Sequence, residues 1–185
     1  MAAEAMEFRF LGASDAAAYW RIRLEALEFE PEAFGSSPEE HLDLSLDDIA
    51  LRLSADSSNN DPLNNVPSNN FVVGAFVGER LAGTAGFLRN KGLKERHKGF
   101  IWGVYVAREA RGKSAGREML QMLLARAATI EGIEQIKLAV ATSGEAAVSL
   151  YRSLGFESFG CERRALKIGD RYVDEEHMVL FVKRA

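Results

Sequence analysis

A single cysteine, Cys161, occurs in 185 residues. One thiol excludes an internal disulfide and a cysteine-based zinc site, and it fits a reducing compartment. The three histidines, His41, His97 and His177, do not stand at metal-ligand spacing, so no metal is expected. Basic residues are not in excess: the net charge is −4, which argues against a nucleic-acid partner, since that needs a basic stripe. No apolar run approaches the ~18 residues of a membrane span. The first residues carry Glu4 and no basic stretch, unlike a secretory signal. A soluble, cytoplasmic chain with no membrane partner is therefore expected. No internal repeat is visible. What is present is ordinary globular composition, 47% apolar and 27% charged, which excludes a wholly disordered chain, a collagen and a coiled coil. The length suffices for one domain with a proper core.

Periodicity orders the chain. Residues 7–11 read as a strand, and Ser14 or Asp15 can cap the helix that follows. Ala16, Trp20, Leu24 and Leu27 recur on one face of that helix, and Pro31 and Gly35 interrupt it. A second helix over 46–54 carries Asp47 and Asp48 in its first turn, where acids suit the helix dipole. Residues 57–70, rich in Asn, Ser and Pro, read as a flexible surface loop. The period then changes to two. Strands over 71–77 and 81–89 form a hairpin, with Gly86 marking a bulge or a close approach. A strand over 99–106 places Phe100, Trp102, Val104 and Val106 on one face.

The best helix, 115–130, lines up Met119, Leu123, Ala127 and Ile130. A strand over 135–141 and a short helix over 144–154, stopped by Gly155, come next. Strands over 156–167 and 172–183 close the chain. The expected fold is mixed α/β: a mostly antiparallel sheet of about seven strands, one parallel β-α-β crossover and about four helices. The expected domain is single, 7–183. Cys161 reads as a small buried hydrophobe.

Arg111-Gly112-Lys113-Ser114-Ala115-Gly116 lies between a strand and the best helix. Small residues let a ligand approach the backbone. Amides at a helix start favour an anion, and Arg111, Lys113 and Arg117 add positive charge. Phosphate binding follows, with a plain strand-to-helix turn as the bland alternative. Two short motifs compete here. Residues 107–114 nearly fit G-x-x-x-x-G-K-[ST], the nucleotide P-loop, but Ala107 replaces its first glycine. The 135–141 strand also supplies no carboxylate for magnesium. Residues 112–116 fit G-x-S-x-G, the hydrolase elbow, with His177 and Asp170 or Asp174 to complete a triad. Yet five residues separate the strand end from Gly112, and His177 lies inside an alternating strand pattern.

A third match is longer. Val106-Ala107-Arg108-Glu109-Ala110-Arg111-Gly112-Lys113-Ser114-Ala115-Gly116-Arg117 resembles the coenzyme A-binding motif of the GNAT N-acetyltransferase superfamily, roughly V-x-P-x-x-[RQ]-G-x-G-x-[GA]. Arg111, Gly112 and Gly116 match. Arg108 stands where proline is common, and Ser114 where the first signature glycine belongs. A second segment, residues 146–156, resembles the family's N-x-x-A-x-x-L-Y-x-x-x-G-F through Ala147, Leu150, Tyr151, Gly155 and Phe156. Gly144 replaces the frequent asparagine, so a side-chain hydrogen bond there is missing or comes from Ser143. Neither rival motif requires this second segment.

The resemblance implies a GNAT-like fold and acetyl-CoA as co-substrate. Its pyrophosphate would rest on the amides of Arg111, Gly112, Lys113, Ser114, Ala115, Gly116 and Arg117. Its pantetheine arm would lie along Val104, Tyr105 and Val106, with Ser143 and Gly144 opposite. Tyr151 would protonate the departing thiolate. The acceptor would be a primary amine of a small molecule or peptide, and a homodimer is a family-level expectation. The base that takes the amine proton stays open among Glu28, Glu30, Glu32, Glu39, Glu40, His41, His177 and a water chain. Trp20, Phe29, Phe34, Trp102 and Tyr172 are candidate pocket aromatics. A non-catalytic acyl-CoA-binding member of the fold is the alternative, ahead of a nucleotide P-loop protein.

Overall fold

Continuous apolar runs in the middle of the sheet and more polar or alternating segments toward its edges, separated by turns, produce seven strands that join in one sheet in the order β1-β2-β3-β4-β5-β7-β6. The computed structural model describes residues 5–54 and 69–182, so most of the expected 57–70 loop lies outside the described residues. The strands are β1 Met6–Phe10, β2 Phe71–Val77, β3 Arg80–Arg89, β4 Lys98–Val106, β5 Gln135–Ala141, β6 Glu157–Ile168 and β7 Arg171–Phe181. The helices are α1 Ala16–Phe29, α2 Pro38–Leu42, α3 Leu46–Ser54, α4 Ala115–Ala128 and α5 Glu145–Ser153. The described residues thus form five helices where about four are expected. No helix among them is long and apolar enough to cross a membrane.

The added helix is α2. Its signal lies in Ser37-Pro38-Glu39-Glu40. The Glu40 amide donates to Ser37 Oγ at 3.3 Å, and the Ser37 amide donates to Glu40 Oε2 at 2.9 Å. Such a reciprocal box, with proline in the first turn, starts a helix even where the apolar pattern is too short to announce one.

The middle of the sheet is covered on both faces, whereas the β6 edge is exposed. On one face α4 packs Met119, Leu120, Leu123 and Ala127 against Val73, Ala85, Phe87 and Ile101. On the other, α1 and α3 pack Tyr19, Ile22, Ala26, Leu27, Ile49 and Leu53 against Phe76, Leu81 and Tyr105. The expected face of α1 is thereby corrected: Tyr19 and Ile22 join Ala16 and Leu27 in the core, while Trp20 and Leu24 are half-buried. Cys161 is exposed on β6 rather than buried.

Every neighbouring pair is antiparallel except β4 and β5, which run parallel. That pair is short: Lys98↔Gln135, Gly99↔Ile136 and Phe100↔Lys137. From Ala141 back to Gln135, β5 instead pairs throughout with β7. The edge of β4 beyond Phe100 that faces β5 is left without a strand partner, and the two strands separate into a split.

A bulge shapes the same part of β4. The register with β3 passes from Trp102↔Gly86 to Tyr105↔Thr84, so Gly103 and Val104 together oppose Ala85. Gly103 has φ +62°, a left-handed conformation that costs a residue without Cβ nothing. The Thr84 hydroxyl donates to the Gly103 carbonyl at 3.1 Å. One extra residue reverses the alternation. Ile101 and Val104 face the α4 core, whereas Trp102 and Tyr105 face the α1 core. Trp102 and Val104 therefore do not share a face, contrary to plain period-two reading.

Helix α2 delivers His41 into the α1 side, where it is buried. Its Nε2–H donates to the Trp20 carbonyl at 2.9 Å. Burial, assisted by the positive charges of Arg23 and Arg52, holds its pKa below the ordinary value, despite the opposing hydrogen bond. The unfolded chain titrates near ~6.5 and so binds more protons than the folded one below that pH. This part of the stability is complete above the unfolded pKa and falls as pH drops through it toward the folded value. Thermal unfolding should therefore show a Tm that declines by a few degrees as pH falls below ~6.5, and His41→Gln, which keeps a donor but cannot be protonated, should flatten that decline.

Candidate active site

The split between β4 and β5 opens a cleft of about 790 Å³. Of the residues singled out in the sequence, Val104, Tyr105, Val106, Arg111, Gly112, Ser114, Ala115, Gly116, Arg117, Ser143, Gly144 and Tyr151 line it. Lys113 does not; it is exposed on the turn outside the cleft. Glu30, Phe34, Glu145 and Leu150, with several alanines, complete the walls.

The floor is the start of α4. The amides of residues 112–114 donate to no described group, and the first intrahelical turn bond is Glu118 N–H to the Ser114 carbonyl at 3.0 Å. The amides of residues 115–117 are helix-start donors that have no intrahelical acceptor. A run of unsatisfied N–H groups is suited to an anion. Gly116 lets the wall approach: a Cβ there would meet Leu150 Cδ2 at 3.3 Å.

Ser114, the N-cap of α4, adopts φ +61° and ψ +10°. Its side chain makes no cap bond. The left-handed region explains why glycine is the family's residue here, since a Cβ costs about 1–2 kcal/mol in it. Ser114→Gly removes that strain but loosens the unfolded chain by about 0.4–1 kcal/mol. The expected net gain of about 0.5–1 kcal/mol is a Tm rise of about 2–3 °C in thermal unfolding.

The side walls are tied by acids from the turn after α1. Arg111 donates from Nη2 to Glu30 Oε1 at 2.8 Å and from Nε to the Val106 carbonyl at 3.0 Å. Ser143 Oγ donates to Glu32 Oε2 at 3.1 Å, and Arg171 pairs with Glu32 Oε1 at 2.9 Å. The short stretch 30–32 thus bridges both sides of the split. The Tyr105 hydroxyl donates to Glu25 Oε1 at 3.0 Å. Burial first, and that carboxylate second, push the Tyr105 pKa up to about 12.

Tyr151 is buried on α5, with its ring 5.9 Å from that of Phe156 in an edge-on arrangement. Burial raises its pKa well above the ordinary phenol range. Its hydroxyl makes no hydrogen bond with any described residue, and the side chain lines the cleft. A protonated phenol with a free donor is what a leaving group needs nearby.

Other candidates fall elsewhere. Glu28 and Phe29 are exposed, and Arg108 lies over the Phe29 ring. Glu39 and Glu40 serve the start of α2, with the Glu39 carboxyl held below its usual pKa by hydrogen bonds there. His41 is engaged by Trp20. Tyr172 is exposed and flanked by Arg164 and Lys167. His177 lies on β7, 3.1 Å from Glu162, away from the cleft that Ser114 lines. No Ser114-centred triad forms with it, and a sheet with one short parallel pair is not the doubly wound sheet of a nucleotide P-loop protein. Sequence reasoning passed over Arg23 and Glu25. Both sit in a helical stretch where alternating charges read as a solvated face.

A splayed parallel pair, a helix start rich in free amides at the split, and a buried tyrosine on the far wall define a cleft suited to an anionic ligand. The model of the acetyltransferase (GNAT) family matches residues 24–156. The chain belongs to that family, and the activity the family carries is acetyl transfer. Solved structures agree in fold. The acetyltransferase of the GNAT family from Streptococcus pneumoniae superposes with a TM-score of 0.83 at 20% identity, covering 96% of this chain and 100% of that one. The Salmonella typhimurium protein yncA, solved with its cofactor acetyl-CoA, gives 0.75 at 20% identity, covering 98% and 96%. A phosphinothricin acetyltransferase from Sinorhizobium meliloti in complex with acetyl-CoA gives 0.77 at 22%, covering 96% and 88%.

Proposed function

We propose that this protein transfers an acetyl group from acetyl-CoA to a primary amine by direct attack within a ternary complex. The observation that carries the reading is the β4–β5 split, placed directly over the free amides at the start of α4. The residues present fit the coenzyme. The amides of 112–117 would hold its pyrophosphate, and the open edge of β4 at Val104–Val106 would receive its pantetheine arm as a strand receives a neighbour. The bound thioester supplies the activated acetyl group.

In the transfer, the amine nitrogen forms a bond to the acyl carbon while the carbon–sulfur bond breaks. The amine must lose a proton, because an alkylamine near pKa ~10.4 is almost wholly protonated at neutral pH. The departing thiolate gains one, which Tyr151 would donate; its free hydroxyl on the cleft wall supports that role. Of the two carboxylates that line the cleft, Glu30 is paired with Arg111, whereas Glu145 makes no ion pair with any described residue, so Glu145 or a water is the route by which the amine proton leaves.

Calorimetric titration with acetyl-CoA, and in parallel with ATP plus magnesium, tests this reading. Micromolar binding of acetyl-CoA alone, followed by thiol release in an amine screen, is expected. Binding of ATP alone would overturn it, and acetyl-CoA binding without turnover of any amine would favour a non-catalytic acyl-CoA binder.

A further inference from the structure

On the α1 side of β4 lies a second cavity, of about 420 Å³, walled by Tyr19, Arg23, His41, Leu44, Arg52 and Trp102. It is separate from the coenzyme cleft but adjoins it through Phe34. That ring lines the cleft, and the Arg23 guanidinium lies over it at 4.4 Å.

The cavity wall carries two polar atoms that are shut off from solvent and have no hydrogen-bond partner among the described residues: Arg23 Nη1 and Trp102 Nε1. Both are donors only. Each is an expensive arrangement. A buried donor without an acceptor loses its water and gains nothing, and a half-buried cation without a counter-charge adds to that cost. No acid forms an ion pair with Arg23 among the described residues; burial acts on it, opposed only by the Tyr19 phenol. Arg52 adds a second positive charge to the lining. The single acid there, Glu40, already accepts the Ser37 amide at 2.9 Å.

The fold has made room for these donors. Trp102 lies flat over Gly86, where a Cβ would come within 2.8 Å of Nε1 and of Cζ2. The bulge at Gly103 turns Trp102 to this side, and a Cβ on Gly103 would lie 3.8 Å from Arg23 Nη1. The neutral side of the cavity is aromatic and aliphatic. Such a chamber is wet by choice only if something with oxygen acceptors fills it.

We infer that this cavity is the acceptor subsite and that it selects amines bearing a carboxylate, which is held by Arg23 Nη1 and the Trp102 indole N–H. A carboxylate offers the paired acceptors that a planar guanidinium fork matches, and its negative charge meets the cation that the protein leaves uncompensated. The amine end then points past Phe34 toward the thioester in the cleft. The chemistry is that of the proposed transfer, with an amino acid or another small amino-carboxylate as the acceptor. The inference rests on that reading of the cleft.

Two measurements test it separately. First, the twenty common amino acids and their C-terminal carboxamides are compared as acceptors with acetyl-CoA, by thiol release. The best acids should exceed their carboxamides at least tenfold in kcat/KM. Arg23→Gln should cut that preference below about twofold, through the KM of the acid, with the KM of acetyl-CoA unchanged. Trp102→Phe, a milder change that keeps the ring, should weaken the acids three- to tenfold. Carboxamides that equal or beat the acids in the wild-type protein overturn the inference, since a neutral group or water then satisfies the two donors. Second, the same acids are titrated in thermal unfolding without acetyl-CoA. They should raise the Tm of the wild-type protein, and neither their carboxamides nor the Arg23→Gln protein should show the rise. Acetyl-CoA that binds while no acid raises the Tm would sink the inference and leave the acetyltransferase reading standing. Acids that raise the Tm of a protein that does not bind acetyl-CoA would keep the carboxylate site at Arg23 and Trp102 but overturn the transfer, and with it the assignment of the cavity as an acceptor subsite.

Discussion

Tyr151→Phe is expected to lower kcat for acetyl transfer about 100-fold at neutral pH, the low end of what a positioned general acid contributes. A thiolate is a fair leaving group, with a parent pKa near ~8.5, so the larger factors seen with poor leaving groups do not apply. The substitution removes only the hydroxyl. The ring stays buried against Phe156, and the absent hydrogen bond leaves no partner stranded. Stability and acetyl-CoA affinity should therefore stay within about twofold of the wild-type values, which separates a transition-state role from a structural one. Because burial raises the phenol pKa far above neutrality, the acid is fully protonated across the working range. Steady-state rates and calorimetry on the two proteins decide the matter; an unchanged kcat would remove Tyr151 from the chemistry.

Gly99→Ala should cost about 3 kcal/mol of stability, at the upper end for an overpacked core, and lower Tm by about 6–12 °C. Gly99 sits on β4 one residue before the split, in the last stretch that pairs with β5. A methyl there would overlap Phe87, coming within 2.5 Å of Cζ and closer to Cε2. Phe87 has nowhere to go. It is fully buried, and its ring stacks on Phe71 at 5.0 Å. The backbone at Gly99 is ordinary extended chain, so the cost is steric and not conformational. Denaturant or thermal unfolding measures it. Phe87→Leu placed in the Gly99→Ala protein should recover part of the loss, because it vacates the overlapping volume. A single substitution without effect on Tm would show that the ring yields more easily than its packing indicates.

Much of this architecture could be read before any coordinates. The strands over 71–77, 81–89 and 135–141 were visible because a period of two, bounded by Gly and Asn, has few rivals. The helix over 115–130 was visible for the corresponding reason at a period of 3.6. The residues that the resemblance assigns to coenzyme and catalysis come together because their two motifs are local: twelve of the thirteen line one cleft, and Lys113 is exposed on the turn outside it. Less legible was whatever depends on distant partners. Glu25 meets Tyr105 across the sheet, and no spacing announces it. Arg23 resembles any surface arginine until α2 and α3 close over it. The face of α1 was misread because Trp20 looks like a core residue, whereas Tyr19 and Ile22 are what the sheet covers. Helix α2 escaped because five residues carry too little apolar repeat, although Ser37 and Glu40 had marked its start.

The bulge in β4 bears on how such a chain can change over time. Between Lys98 and Val106, one strand serves both cavities, with Trp102 turned to one and Val104 to the other. That division depends on a count and not on chemistry. A one-residue deletion in β4 that kept the bulge, unlike loss of Gly103 itself, which would merely straighten the strand, would move every following side chain to the opposite face. Tyr105 would leave Glu25, and Val104 and Val106 would exchange sides with it. A substitution in the same stretch alters one wall of one cavity. Outside the bulge, the length of this strand is accordingly held more tightly than its composition, and the walls of the two cavities there can vary only by replacement of residues.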